Sequence, residues 1–509
     1  IPPGNYSSLQ TGEAGQIYFL EFPTMAIGAM VAGLRDSAQS AKLHKFDLKS
    51  RKDEVIMEGL NNYLISADKK KILYVAHNVW GITNLGGKIQ AGQGKINVDS
   101  IEVKVNPAEE WRQIFDESWR INRDFFYDPN MHGCDWPAMK KKYEKFLPEL
   151  ACRDDLNRLI QWMCSELAVG HHRGGGGDTP YERRRIQVGL LGADYEIADG
   201  RYRFQKVYGG LNWNPGLRSP LTEPGVNVRA GEYLLAVDGQ ELIPPDNLFC
   251  YFENKADKIV DITIGPRPDG RGARTVQVVP VADDYNLRNR DWVEGNLKKV
   301  EEATAGQVAY VYVPDTSIQG YIYFRRYFFP QAYKEAIIVD ERFNGGGSVA
   351  DYYIDWLSKP FIAMWAMRYG ADLKTPSASI QGPKVMLINE MAGSGGDLLP
   401  WMFRKFGHGP LIGKRTWGGL VGVLGFPTLM DGGGITAPNL AIWTEDGWIV
   451  ENEGVPPDLE VEITPADYKA GRDPQLEKAI ETIKDMLKKN PPKKMQRPPY
   501  PVRVWKADS

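Results

Sequence analysis

The chain has 509 residues, too many for one ordinary core, and three or four domains are expected. Its 42% hydrophobic and 25% charged content is that of a globular protein, and it holds no run of about 18 apolar residues that could span a bilayer. A formal net charge of −3 gives no electrostatic reason to expect nucleic acid or a membrane as partner.

Residues 1–104 read as short antiparallel strands: "GQIYFLEF", "AKLHKFDLKSRKDEVIMEG" and "NNYLISADKKKILYVAHNVWGI" carry hairpin spacing. A turn followed by a strand, as in "SADKKKILYV", is common in propeller blades, yet a whole propeller needs at least about four blades. The segment is therefore expected to be the end of a β-propeller or a small β-sheet. Residues 105–183 change period. "NPAEEWRQIFDESWRINRDFFYD" spaces Trp111, Phe115, Trp119 and Ile121 near a helical repeat, and "DWPAMKKKYEKFLPEL" opens with Asp135 as N-cap and Pro137 in the first turn. "RDDLNRLIQWMCSELAVG" predicts a third amphipathic helix ending towards Gly170, followed by "HHRGGGGD", whose four glycines predict a flexible or tightly turned loop.

Strands return over 184–284. There "GVNVRAGEYLLAVDGQEL" is similar to the carboxylate-binding region of a PDZ domain, a module that adds an extended peptide to a sheet edge. Residues 285–490 alternate strand and helix: "QVAYVYVPD", "YIYFRRYFFPQAY", "EAIIVDERFNGGG", "SVADYYIDWLS", "KVMLINE", "GDLLPWMFRKFG". That alternation implies βαβ units and a mostly parallel sheet. The Pro- and Lys-rich residues 491–509 predict an extended or docking arm. The four cysteines, Cys134, Cys152, Cys164 and Cys250, form no CxxC pair, so no zinc site is expected. The first residue is Ile1, so the start is expected to be processed, truncated or engineered, with any signal peptide out of view.

Candidate chemistry gathers at "MAGSGGD". Ser394 stands among glycines at a strand-to-helix turn, close to the G-x-S-x-G elbow that exposes a nucleophile, and the Gly395 N–H could face a developing oxyanion. A plain turn or a phosphate loop would also use glycines, although no GxxxxGK[ST] is present. A second glycine turn, "DERFNGGG", ends another buried strand, and in open α/β sheets such ends lie side by side. Of six histidines, His44 and His77 fall among the N-terminal strands, His132 in a loop and His408 at a helix end. His171 and His172, between a helix and the glycine run, are the best placed to reach a cleft. In "WIVENEGVPPDLEV", Glu451 and Glu453 follow an apolar strand and could orient a histidine or simply face solvent.

In this order the phrases "SELAVGHHRGGGGD", "DERFNGGG", "NEMAGSGGD", "GPLIGKRTWGGLVG" and "ENEGVPPDLEV" resemble the tricorn protease family of serine peptidases, which is related to the C-terminal processing (tail-specific) peptidases. The resemblance covers essentially the whole chain. It implies a multidomain α/β plus β fold: the end of a β-propeller, a helical subdomain, a PDZ-like domain and a ClpP/crotonase-like α/β catalytic core. It implies Ser394 as nucleophile, His171 as general base and Glu451 as the carboxylate orienting it, with the amides of Gly395 and Gly346 as oxyanion hole. It further implies peptide or unfolded-protein substrates, no cofactor or metal, a homo-oligomer such as a hexamer, and a cytoplasmic location, or a periplasmic or secreted one. Two positions depart from the archaeal type. Gly170 stands where a serine bridges histidine and glutamate, so Glu451 must reach His171 directly, through water or through another residue. Trp365 aligns with an acidic substrate-binding residue, which favours an apolar preference over a basic one. The rival readings are a non-catalytic peptide-binding scaffold and a crotonase-type acyl-CoA enzyme.

Overall fold

The computed structural model describes residues 3–22, 41–179, 185–493 and 495–504. The expected boundary at 183/184 and the last five residues of the tail lie outside them. At the N-terminal side, strands Asn5–Thr11, Gln16–Phe22, Ala41–Asp47 and Lys52–Leu60 form an antiparallel meander. Three shorter strands, Asn62–Ile65, Lys71–Ala76 and Val79–Asn84, form another. The period-2 pattern sorts their faces: Ile72, Tyr74 and Ala76 are buried while Lys71 is exposed. His44 is structural, held between Asp53 and Glu21.

Three helices follow. Pro107–Phe125 starts with Pro at its first position and buries Ile114, Phe115, Ser118, Ile121 and Asn122 on one face. Trp136–Tyr143 is capped as expected, with the Asp135 carboxylate accepting the Ala138 N–H at 3.0 Å. Arg153–Ser165 stops short of Gly170, and Ala168 turns through φ 48. The early stop frees residues 166–173 to cross to the α/β core. The glycine run is tied rather than loose: Gly174–Gly175 pairs with Gly434–Ile435, and the Gly176 carbonyl accepts from Asn157 at 3.1 Å.

The next sheet runs Arg274–Val278, Val260–Gly265, Tyr233–Val237, Arg201–Val207, Ala193–Ala198, with Gln240–Glu241 also on Tyr233–Val237. The phrase "EYLLAVDG" lies mid-sheet, paired on both sides through Tyr202↔Leu234 and Tyr233↔Gly265. Its strand offers no free edge to a peptide; the edge strands of this sheet are Arg274–Val278 and Ala193–Ala198.

The α/β region has five parallel strands in chain order: Val308–Tyr312, Ala336–Asp340, Lys384–Ile388, Leu411–Gly413 and Leu459–Glu460. The first four are buried throughout, as parallel strands covered on both faces must be. Helices Tyr285–Ala303, Ile318–Gln331, Ala350–Ser358, Gly395–Lys405 and Pro474–Lys489 accompany them. At the carboxyl end of the second strand, buried Arg342 joins Asp340 at 2.7 Å and Asp473 at 2.9 Å, pinning the start of "RFNGGG" to the last long helix. The tail arm docks on the hairpin Ala363–Trp365/Leu373–Thr375: Arg497 pairs with Asp372 and donates to the Met367 carbonyl at 3.1 Å. Among the described residues no helix is long and apolar enough to cross a membrane.

Candidate active site

The strands Ala336–Asp340 and Lys384–Ile388 are neighbours, with Asp340 opposite Leu387, so the two glycine turns emerge side by side. Asn344 staples them: its carbonyl accepts the Gly393 N–H at 3.0 Å, and its Oδ1 accepts the Gly346 N–H at 2.9 Å. Gly346 sits at φ +85, and a Cβ built on it would come within 2.7 Å of Ser394 Cβ; only glycine fits there.

Ser394 adopts φ 59, ψ −117, a conformation that costs a non-glycine residue about 1–3 kcal/mol and must be held by its surroundings. Asp397 holds it. This carboxylate is fully buried and accepts the Ser394 N–H at 2.7 Å, Thr416 Oγ1 at 2.5 Å, the Gly418 N–H at 2.8 Å and the Gly419 N–H at 3.2 Å. Burial pushes its pKa up and these four donors pull it back. Gly395 opens the helix, so its N–H has no acceptor within the helix. A Cβ there would stand 1.9 Å from Thr316 Oγ1, 2.4 Å from the Gly347 carbonyl oxygen and 2.9 Å from the Gly347 nitrogen. The Gly395 turn thus packs against Gly347 without room for a side chain, while the Gly346 N–H is taken by Asn344.

Beneath the turns Glu341 is fully buried, and neither carboxyl oxygen has a hydrogen-bond partner. Burial first, then the charges of Asp397 and Asp340, hold its pKa well above the usual carboxylate range, against a lowering bond from Asn344.

His171 lies at φ 41. Its ring packs edge-on to Trp417, centroids 5.3 Å apart, and Trp417 also covers Gly393, where an added Cβ would meet the indole at 2.7 Å. One indole therefore spans the histidine and the serine turn. Among the described residues no hydrogen bond joins the His171 ring to Ser394, and Nδ1 is buried without a partner. Burial and the Arg173 charge lower its pKa, against Glu451, Asp397 and the Val421 backbone, which raise it. His172 faces the other way: its Nε2 meets Asn122 Oδ1 at 2.8 Å, its ring stacks on Phe126, and burial pushes its pKa down to about 4.

Among the described residues no hydrogen bond joins Glu451 to the His171 ring. Its Oε1 accepts the Gly170 N–H at 2.6 Å, and its Oε2 accepts the Leu420 and Val421 N–H groups at 2.7 Å each. A Cβ on Gly170 would lie 3.0 Å from Gly419 Cα and 3.2 Å from Glu451 Oε1, so glycine lets the carboxylate close directly on the backbone before His171. Trp365 is 65% exposed on its hairpin and shares none of the hydrogen bonds or ring contacts of the glycine turns. Sequence reasoning missed Asp397, Asn344, Thr416 and Trp417. The S-x-x-D spacing of Ser394 and Asp397 is a capping-box signal that points to the first of them.

Three family profiles match the chain in order: the tricorn protease C1 domain over residues 107–165, the tricorn protease PDZ domain over 189–283 and peptidase family S41 over 307–461. The crystal structure of the tricorn protease superposes with a TM-score of 0.87 at 30% identity, covering 96% of this chain and 47% of that one. The chain belongs to the tricorn protease family. Tricorn protease homolog 1 of Streptomyces coelicolor is 33% identical over 97% of this chain and 47% of its own length. The tricorn protease of Thermoplasma acidophilum is 30% identical over 98% and 46%. The chain spans about half the length of the curated tricorn relatives it matches. Its fold is tricorn-like, with a PDZ domain and an S41 catalytic domain built from mixed sheets and helices.

Proposed function

We propose that the chain is a serine peptidase that hydrolyses peptide bonds through an acyl-enzyme on Ser394. The observation that carries this is the Ser394 backbone, strained yet locked by Asp397 where two glycine turns pack against each other. His171 takes the Ser394 proton as the Oγ attacks the peptide carbonyl, then gives it to the leaving amine; water repeats the sequence to free the acid. The oxyanion is held by the Gly395 N–H and by an amide of the "NGGG" turn. We assign the second donor to Gly347, because the Gly346 N–H is committed to Asn344. Glu451 acts through the backbone before His171 rather than through the ring. His171 and Ser394 share no hydrogen bond here, and such catalytic bonds commonly tighten only when substrate binds.

The substrate is a peptide, and Trp365 in place of an acidic residue favours apolar side chains at the cut. The chain works as a homo-oligomer in the cytoplasm and needs no cofactor. The two N-terminal meanders support reading residues 1–104 as the end of a β-propeller, followed by a helical subdomain to 183, the PDZ-like domain to 284, a ClpP/crotonase-like core to 490 and the tail. A second reading, a non-catalytic peptide-binding scaffold, is favoured by one observation, the unpartnered Nδ1 of His171. A fluorophosphonate probe with a peptide-cleavage assay separates them. Modification of Ser394, and a fall in kcat on the order of 10⁴-fold or more in Ser394→Ala, are expected. An unlabelled wild-type chain with no turnover would support the scaffold.

A further inference from the structure

The His171 imidazole meets the Val421 backbone and the Trp417 ring, and no side chain bonds its Nδ1, so its aim depends on the backbone that carries it. The backbone around it is clamped from both directions. On the N-terminal side Glu451 Oε1 takes the Gly170 N–H at 2.6 Å. On the C-terminal side Thr436 does two jobs with one hydroxyl: Oγ1 donates to the His171 carbonyl at 2.5 Å and accepts the Arg173 N–H at 2.6 Å. The Thr436 N–H adds a bond to the Arg173 carbonyl at 2.8 Å. Between these clamps His171 sits at φ 41, a conformation that persists only where the surroundings over-determine it.

The clamp is itself anchored. Gly434–Ile435 pairs with Gly174–Gly175, and Ile435 is buried against the helical layer. Asp431, five residues before Thr436, is paired with Arg153 at 2.6 Å; both side chains are almost wholly buried. A Cβ on Gly177 would stand 2.2 Å from Asp431 Oδ2, and one on Gly433 2.6 Å from Arg153 Nη2, so glycines on both strands of the loop make room for this ion pair. The loop carrying Thr436 is thereby fixed to the same helix that leads into His171.

We propose that Thr436 is the positioning residue for His171: its hydroxyl, bridging the His171 carbonyl and the Arg173 N–H, holds the strained backbone that aims the imidazole at Ser394. This rests on the reading of His171 as general base. A ring aimed by its backbone does not depend on a side-chain acceptor at Nδ1 or on a bond from Glu451 to the imidazole.

The test compares Thr436→Val, which keeps the shape and removes both hydroxyl bonds, with Thr436→Ser, which keeps them. Steady-state peptide cleavage is expected to show a kcat lowered about tenfold to a hundredfold in Thr436→Val with KM unchanged, and recovery in Thr436→Ser. Thr436→Ala should match Thr436→Val, which guards against a misfolded valine variant. In parallel, the His171 ring is titrated by NMR; in Thr436→Val and Thr436→Ala its pKa should move up towards the ordinary histidine value as the ring swings into solvent. Equal kcat in all four proteins, a serine variant as impaired as valine, or an unmoved His171 titration would each overturn the proposal. A wild-type chain without turnover or fluorophosphonate labelling would instead strike at the peptidase reading, and the ring titration would still decide whether Thr436 holds His171.

Discussion

The side-chain bonds that shape the Ser394 turn come from Asp397, Thr416 and the amides at 418 and 419, at most 22 positions away in the chain, together with the Asn344 staple from the adjacent strand end. The bonds that hold the His171 loop span 263 to 284 positions: Arg173 and His171 to Thr436, Gly170 to Glu451, Ala168 to Asn452. The serine turn is thus built by the parallel sheet itself. The histidine loop acquires its shape only when the helical layer docks on the α/β core, and closing such long loops is entropically the later and more fragile event. Mild destabilisation should therefore loosen the His171 loop before it disturbs the Ser394 turn.

The harshest way to break that contrast is on the serine side. Gly395→Ala places a methyl 1.9 Å from Thr316 Oγ1 and 2.4 Å from the Gly347 carbonyl, so the turn must shift and the Gly395 N–H is displaced. A fall in kcat on the order of 10²–10³-fold is expected, as for loss of one oxyanion donor. Steady-state kinetics checks this; near-normal kcat would mean the two amides do not share an oxyanion. On the histidine side, Glu451→Gln replaces one acceptor oxygen by a donor facing the Gly170, Leu420 or Val421 N–H. Leaving a donor unsatisfied should cost about 1–3 kcal/mol in denaturant unfolding and lower kcat, while fluorophosphonate labelling of Ser394 slows rather than vanishes.

Beneath the serine turn, Glu341→Gln probes a carboxyl whose pKa is held well above the usual range. Because the folded state keeps its proton above the unfolded pKa near 4.5, wild-type stability falls as pH rises through and beyond that value. The glutamine variant should be more stable at neutral pH, equal near pH 3, and as active as wild type; unfolding curves against pH test it, and a less stable variant at neutral pH would show that the charge is needed. The smallest effect is in the pH profile. Burial lowers the His171 pKa below 6.5, and the neutral ring is the active base, so the acid limb of kcat/KM should lie below pH 6.5. A limb above that value would place a different group in charge of the proton.

Much of this was legible in one dimension. Apolar β-branched runs at 308–312, 336–340 and 384–388 with glycine turns after two of them announce a parallel sheet and the place of its site, because strand ends and tight turns leave local marks. The Asp135 cap and the S-x-x-D of Ser394 are likewise local. The phrase "GVNVRAGEYLLAVDGQEL" marked the PDZ domain, but not that its strand lies mid-sheet, because a strand's neighbours, not its own residues, decide whether its edge is free. Glu451 was named, but its role differs from a ring acceptor, since three backbone amides compete for its two oxygens. Gly346 was chosen as a donor over Gly347, and a three-glycine run carries no sign of which N–H a neighbouring asparagine will claim.

What the sequence by itself determined is the list of parts and their chemistry: a serine on a glycine elbow, a histidine before a glycine run, a carboxylate after an apolar strand, all within a tricorn-family order of segments. These depend on residue type and short spacing, which the chain writes directly. What only the tertiary structure decided is how the parts are held. Arg153 and Asp431, Thr436 and His171, Glu451 and Gly170 meet across more than 260 positions, and contacts of that span arise from the docking of separately formed layers, for which local sequence has no mark.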